Sequence, residues 1–387
     1  KIRVGQIEGE RRVGAGDELR FVDEGVPLST PDDVPTTYAG LSSDVRPGDD
    51  LLLRDGAIPT TVMAVEPGTV TVRVVAGGTI RTGSGINLPD SPISAPALSD
   101  DDAAALRSAL DDGVDLVALS FVRSPDDVEP VRAAMAEHGR VVPIIAKIEK
   151  PEAVEQIDAV VAAFDGVMVA RGDLGVELDL ALVPMIQKRI ITACRHAAKP
   201  VIVATEMLES MTSASRPTRA EASDVVNAVL DGADALMLSA ETSMGIDPVR
   251  AAITMDRLVR IAERDGPRPA PRRVDDDPDE ATVAAAIALA ERCAAEAIVV
   301  ITRTGSSARR VAAHRPDARL LVFSPDELSE PWTVLWGAEV VDRLLPGSPL
   351  PDDLRGALTA DFDLAADAAV VVVTGSVPGA TDLVWRL

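Results

Sequence analysis

The chain has 387 residues, nearly half of them apolar, which is enough for a sizeable core and two or three domains. Its formal charge of −24 repels phosphate backbones and excludes non-specific nucleic-acid binding as a function class. No apolar run approaches the roughly 20 residues of a bilayer-spanning helix, and no signal-peptide pattern opens the chain. Cys194 and Cys293 are the only cysteines, too few for a disulfide framework. A cytoplasmic protein with neither nucleic-acid nor membrane partners is expected. Only five of the 38 basic residues are lysines. That balance suits a salt-loving cell, where hydrated carboxylates keep proteins in solution, and a high-GC genome gives the same bias; both explanations stand. The first residue is Lys1 rather than Met, so the chain is expected to begin inside a longer sequence.

From residue 5 to about 88 the pattern is short and β-like. Stretches such as 50–53 and 69–75 are separated by the turn signals Pro47-Gly48, Asp55-Gly56, Pro67-Gly68 and Gly77-Gly78, which predicts a small all-β module. From Ala97 onward helices alternate with short apolar strands. Strands are predicted at 116–122, 141–149, 166–171, 200–207 and 235–239, and helices at 126–138, 153–163, 183–197 and 220–230. Repeated βα units imply a parallel sheet. Residues 2–5 offer a sixth strand. A closed (β/α)8 barrel needs eight, so roughly two βα units are expected to precede Lys1, with an open doubly wound sheet as the alternative. Residues 265–280, rich in Pro, Arg and Asp, read as a linker. A second α/β unit follows, with strands predicted at 297–302, 319–323, 340–344 and 369–374, and 382–387 as an edge strand.

Chemistry concentrates at the ends of the middle strands. The strand over 141–149 ends in Lys147-Ile148-Glu149. Alternation puts Lys147 and Glu149 on one face, at the C-terminal end where barrel enzymes keep their active sites. A Lys there is costly unless paired or used; a plain Lys–Glu pair closing the barrel mouth is the simpler reading. The next strand runs into Arg171-Gly172-Asp173-Leu174-Gly175, read as a tight turn with exposed backbone N–H groups suited to carboxylate or phosphate. An ordinary Gly-rich turn explains it equally. Glu149 and Asp173, at neighbouring strand ends, form a donor set of the kind Mg²⁺ prefers. Thr205 ends the following strand. Arg216-Pro217-Thr218-Arg219-Ala220-Glu221 reads as a loop entering a helix, with capping as its simplest use. His138, His196 and His314 have no metal-ligand spacing.

Taken together, these segments resemble the pyruvate kinase family. The matching stretches are Ile145-Ala-Lys-Ile-Glu149, Val167-Met-Val-Ala-Arg-Gly-Asp-Leu-Gly-Val-Glu177, Val203-Ala-Thr-Glu-Met207, Arg216-Pro-Thr-Arg-Ala-Glu-Ala-Ser-Asp224, Asp231-Gly-Ala-Asp-Ala-Leu-Met-Leu-Ser239 and Gly85-Ile-Asn-Leu-Pro89. The match is strongest over 85–262. With the acidic composition, Ala204-Thr-Glu-Met207 looks most like haloarchaeal members. The resemblance implies an α/β protein of three parts. A (β/α)8 TIM barrel lacking its N-terminal strands would occupy 1–4 and 89–264. A small β-barrel lid would be inserted at 5–88. A three-layer α/β effector domain would follow the linker at 281–387.

The resemblance also implies transfer of a phosphoryl group from phosphoenolpyruvate to ADP, giving pyruvate and ATP, in a homotetramer. Lys147 would stabilise the enolate and the phosphoryl group in transit. Glu149 and Asp173 would hold Mg²⁺ or Mn²⁺. The N–H groups of Gly172 and Asp173 would bind the substrate carboxylate, and Thr205 would assist protonation of the enolate carbon. Arg3 and Asp55 match nucleotide-contacting positions. Lys1 matches a position that is Lys in K⁺-independent members. In the effector domain, Thr302, Thr304, Gly305, Ser306 and Ser307 would cradle an effector phosphate; a plain Ser-rich N-cap reads equally well there. Departures from the family pattern fall at Ser84, where a nucleotide-contacting Lys is usual, and at Arg54, Glu206 and Ala240. The second effector loop, Ser376-Val377-Pro378-Gly379, departs as well. A degenerate regulatory paralogue that binds phosphometabolites, or another Mg²⁺-dependent barrel acting on pyruvate enolate, are the alternatives.

Overall fold

The computed structural model describes residues 2–267, 277–324, 334–341, 358, 362–365, 367–375, 381 and 383–386. Lys1, the loop 376–379 and most of the linker lie outside the described residues.

Eight strands precede residue 88: β1 (Glu10–Val13), β2 (Glu18–Val22), β3 (Asp33–Pro35), β4 (Asp50–Leu53), β5 (Ile58–Glu66), β6 (Thr69–Val74), β7 (Gly78–Arg81) and β8 (Ile86–Asn87). Six form a sheet in the order β3-β2-β6-β5-β4-β8, and β1 pairs with β7. Period-two alternation sets the faces. Leu19 and Phe21 of β2, Val70, Val72 and Val74 of β6, and Leu51 and Leu53 of β4 point into one core, which Val13 and Ile80 of the β1–β7 ribbon also enter. Residues 2–5 are not a sixth strand of the parallel sheet. Arg3 and Val4 instead form antiparallel bridges with Gly85 and Thr36. Their backbone bonds go to the ends of the β module, where unpaired edge groups were available.

The next five strands, β9 (Val117–Leu119), β10 (Ile144–Ile148), β11 (Gly166–Ala170), β12 (Val201–Ala204) and β13 (Ala235–Met237), form one parallel sheet in sequential order. Helical segments separate them, the longest being 128–138, 183–196 and 219–231. The helix expected over 153–163 is broken at Gln156 into Pro151–Glu155 and Ile157–Ala163. Sequential parallel strands with a helix between each pair make the wall of a TIM-type barrel. Ile144, Ala146, Ile148, Val167, Val169, Val201 and Val203 face the helices. Ile145, Met168, Ile202 and Ala204 form a separate layer on the inner face. Burial on both faces explains why these strands read as continuous apolar runs.

The C-terminal sheet has the order β16-β15-β14-β17-β18, from β14 (Ala297–Ile301), β15 (Arg319–Phe323), β16 (Ala338–Val341), β17 (Val370–Thr374) and β18 (Leu383–Arg386). Only β18 is antiparallel. Helices 278–292 and 306–313 cover one face, and Leu358 and Leu364 pack on the other, which gives three layers. This unit is pinned to the barrel by Arg315. Its guanidinium lies 3.0 Å from Asp234 Oδ1 and donates to Gly232 O. No described helix is long and apolar enough to cross a membrane.

Candidate active site

Three consecutive strand ends bring the expected residues together. At the end of β10, Lys147 Nζ lies 2.7 Å from Glu149 Oε1 and donates to Ser120 Oγ, just past β9, at 3.1 Å. Glu149 is fully buried. Its Oε2 accepts a 2.8 Å bond from Phe121 N–H. Phe121 holds a left-handed conformation, φ 54°, which a bulky side chain adopts only under constraint; this turns its N–H toward the carboxylate. Burial pushes the Glu149 pKa up. The ammonium of Lys147 and the Phe121 N–H oppose that rise, and the negative charge of Asp173 adds to it. Although Lys147 is close, Glu149 Oε1 has no aligned hydrogen-bond donor. Lys147 is the charged partner of that oxygen, and the carboxylate has lone pairs left for a further ligand.

The segment after β11 is a helix, Arg171–Glu177, rather than the tight glycine turn expected. Leu174 is buried on its inner face, and that apolar contact outweighs two glycines' preference for turns. Gly172 N–H, expected to be open for a substrate carboxylate, donates instead to Thr205 Oγ1 at 2.8 Å. The Thr205 hydroxyl donates in turn to Ala204 O at 2.6 Å. Thr205 and Glu206 both sit at positive φ, 70° and 54°. For a β-branched residue this is a strained backbone, the kind that concentrates at functional sites. Arg171 braces it from below: one guanidinium nitrogen donates to Thr205 O at 2.8 Å and the other to Asp224 Oδ1 at 2.8 Å. Asp173 stands in the first turn of the helix, near enough to Glu149 to act on its charge.

The two carboxylates fit a divalent cation. One is fully buried with an unaligned oxygen, the other raises its pKa, and a cation between them would relieve both conditions. No group of three or more His, Cys, Asp and Glu with metal-binding geometry occurs among the described residues, so a cation here would draw its remaining oxygens from substrate or water.

Other expected residues lie elsewhere. Arg3 and Asp55 are exposed on the β module; Arg3 Nη1 donates to Gly83 O at 3.0 Å. In the C-terminal unit, Thr302 Oγ1 accepts from Gly305 N–H at 2.8 Å. The buried Ser307 hydroxyl pairs with Thr381 Oγ1 at 2.7 Å. Gly305 takes φ 70° before helix 306–313, with Thr304 in the same loop and Ser306 as the first residue of the helix. Thr218 and Glu221 form a capping box on helix 219–231. A cavity of about 450 Å³ runs along the free edge of β9, past Ile2, Leu106, Leu119 and Phe121. Its wall is mostly apolar; Ser120 and Phe121 join it to the site, and Lys150 and Glu177 also line it. Sequence reasoning missed Ser120, Phe121 and Arg171. The first two act through backbone position, which leaves no composition signal; Arg171, inside the matched stretch, was legible.

Family models for the pyruvate kinase barrel domain and the pyruvate kinase alpha/beta domain match residues 1–252 and 280–384. The chain belongs to the pyruvate kinase family. A pyruvate kinase of Corynebacterium efficiens is 48% identical over 98% of this chain and 81% of its own length. One of Mycobacterium tuberculosis is 44% identical with the same coverage. Pyruvate kinase 2 of Synechocystis is 38% identical over 99% of this chain and 67% of its own length.

Proposed function

We propose that this chain carries the centre that transfers the phosphoryl group of phosphoenolpyruvate to ADP, giving pyruvate and ATP. The observation that carries this reading is the Lys147–Glu149 pair, set beside Asp173 and Thr205 on successive strand ends. Phosphoryl transfer needs positioned charge more than covalent chemistry, and that is what these residues supply. The enol-phosphate P–O bond breaks, an oxygen of the ADP β-phosphate bonds to phosphorus, and the enolate carbon takes up a proton. Lys147 Nζ holds the charge on the transferring group and on the enolate oxygen. Substrate carboxylate binding to the N–H groups of Gly172 and Asp173 displaces the Thr205 hydroxyl from Gly172, which leaves Thr205 Oγ1 to handle the proton at the enolate carbon. Mg²⁺ or Mn²⁺, held by Glu149 and Asp173, supplies charge neutralisation when bound.

Arg3 and Asp55 reach the nucleotide from the lid, and the loop from Thr302 to Ser307 takes an effector phosphate, with Thr304 and Ser306 as its least committed groups. Lys1 matches a position that is Lys in K⁺-independent members of the family, and we infer that the reaction does not require K⁺. The family habit of homo-oligomers suits an exposed apolar patch of Met244, Ile246, Val249 and Ile253, each more than 60% exposed. A cytoplasmic location is our reading, and the scarcity of cysteines is in keeping with it.

The test is a coupled assay of pyruvate formation with phosphoenolpyruvate, ADP and Mg²⁺, run on wild type and Lys147→Met. Turnover by wild type and its loss in a folded variant is the expected result. Near-normal turnover by Lys147→Met sinks the assignment.

A further inference from the structure

Helix 171–177 is gripped at the end opposite Asp173. Glu177, 4% exposed, gives Oε2 to Lys150 Nζ at 2.7 Å and Oε1 to Asn87 Nδ2 at 2.8 Å. Lys150 is 1% exposed and spends a second donor on Leu88 O at 3.3 Å. Asn87, also buried, belongs to β8 of the lid, and Leu88 begins the return to the barrel. The amide orientation of Asn87 is fixed by Glu177, because a flip would set two oxygens against each other; its own Oδ1 is left without a partner. One residue before Glu177, Val176 lies close to Gly56, in the turn between β4 and β5, where an added Cβ would touch it. One short helix thus carries Asp173 at its start and both lid contacts at its end.

A buried, doubly bonded ion pair is a weak source of stability but holds geometry firmly. Lys150 directly follows Glu149, so the same strand end that presents one carboxylate of the cation site also clamps the helix that presents the other. We infer that Lys150 and Asn87 are positioning residues: by gripping Glu177 they set Asp173 against Glu149 and couple the lid's seat to cation affinity. This rests on the reading of Glu149 and Asp173 as cation ligands. It adds two residues, from separate domains, that touch neither cation nor substrate.

The test is titration of the full chain with Mn²⁺ alone, read by electron paramagnetic resonance, for wild type, Asn87→Ala and Lys150→Arg. Asn87→Ala leaves Glu177 paired with Lys150, so no charge is stranded. Its Mn²⁺ dissociation constant is expected to rise about tenfold, as for loss of a group that orients a ligand. Amide exchange at residues 86–88 is expected to quicken, and Lys150→Arg to fall between wild type and Asn87→Ala. Should Asn87→Ala not fold, Asn87→Ser is read in its place. A variant with lowered thermal midpoint but Mn²⁺ affinity within twofold of wild type makes the clamp merely structural and overturns the inference. So does wild-type protein that binds no Mn²⁺. The coupled assay run in parallel separates the two readings: Mn²⁺ binding that responds to Asn87→Ala without any turnover defeats phosphoryl transfer and leaves the clamp standing.

Discussion

Two Lys–Glu pairs leave the same strand end in opposite directions. Lys147 and Glu149 meet at 2.7 Å, and so do Lys150 and Glu177. The second pair is buried: both side chains are 2% exposed, at the wall of the cavity beside β9. The first is open. The Lys147 side chain is a quarter exposed, and Glu149, fully buried, has an oxygen with no aligned donor. Equal distance therefore says little about role. Exposure of the lysine beside an opening marks the pair that can act on a substrate, and burial of both partners marks the pair that holds a frame.

The sharpest way to break that contrast is to remove each lysine. Lys147→Met is expected to lower turnover by about 10³-fold or more, since losing one charged transition-state contact costs a few kcal/mol and each 1.36 kcal/mol is about tenfold. Its far-ultraviolet circular dichroism should stay near wild type, while loss of the ammonium beside buried Glu149 lowers the thermal midpoint at neutral pH without unfolding the chain. Lys150→Met is expected to act chiefly on stability, with a smaller loss of turnover through the loosened Asp173 helix. It strands the Glu177 carboxylate in the interior, a loss of about 3–5 kcal/mol by denaturant titration. A Lys150→Met variant as stable as wild type would erase the distinction between the two pairs.

A smaller effect follows from pH. Burial, partly opposed by Lys147, holds the Glu149 pKa above its ordinary 4.5. Between that value and the raised one the folded state binds more protons than the unfolded state, so stability falls as pH rises through the window. Without divalent cation, Glu149→Gln should flatten this slope. At neutral pH it should raise the thermal midpoint. A calorimetric scan in chelator checks it; an unchanged midpoint and slope would mean the carboxylate is already compensated.

Much of the parallel sheet was legible because its strands are buried on both faces. Apolar runs such as Ile144-Ile145-Ala146 and Val201-Ile202-Val203 stand out between amphipathic helices. The ends were harder. Arg171-Gly172-Asp173-Leu174-Gly175 has turn composition but folds as helix, because Leu174 finds the core. Residues 2–5 have strand composition, yet their partners are Gly85 and Thr36, some eighty and thirty residues away; pairing that distant leaves no local pattern. In the site, Lys147 and Glu149 were visible through period-two alternation. The left-handed Phe121 and Thr205 were not, since neither residue type advertises positive φ. Nor was the difference between the two pairs, since Lys147-Ile148-Glu149-Lys150 gives no hint that the last lysine turns inward to Glu177.

The most direct test of the open pair is Mn²⁺ titration of wild type and Glu149→Gln without substrate or nucleotide. Wild type should bind one ion per chain at this centre. Glu149→Gln should weaken that binding at least about tenfold while the protein remains folded, because half of the protein's donor set is gone. Mn²⁺ binding unchanged in Glu149→Gln would contradict the account: the spare oxygen of Glu149 would then be no cation ligand, and the open pair would be as structural as the buried one.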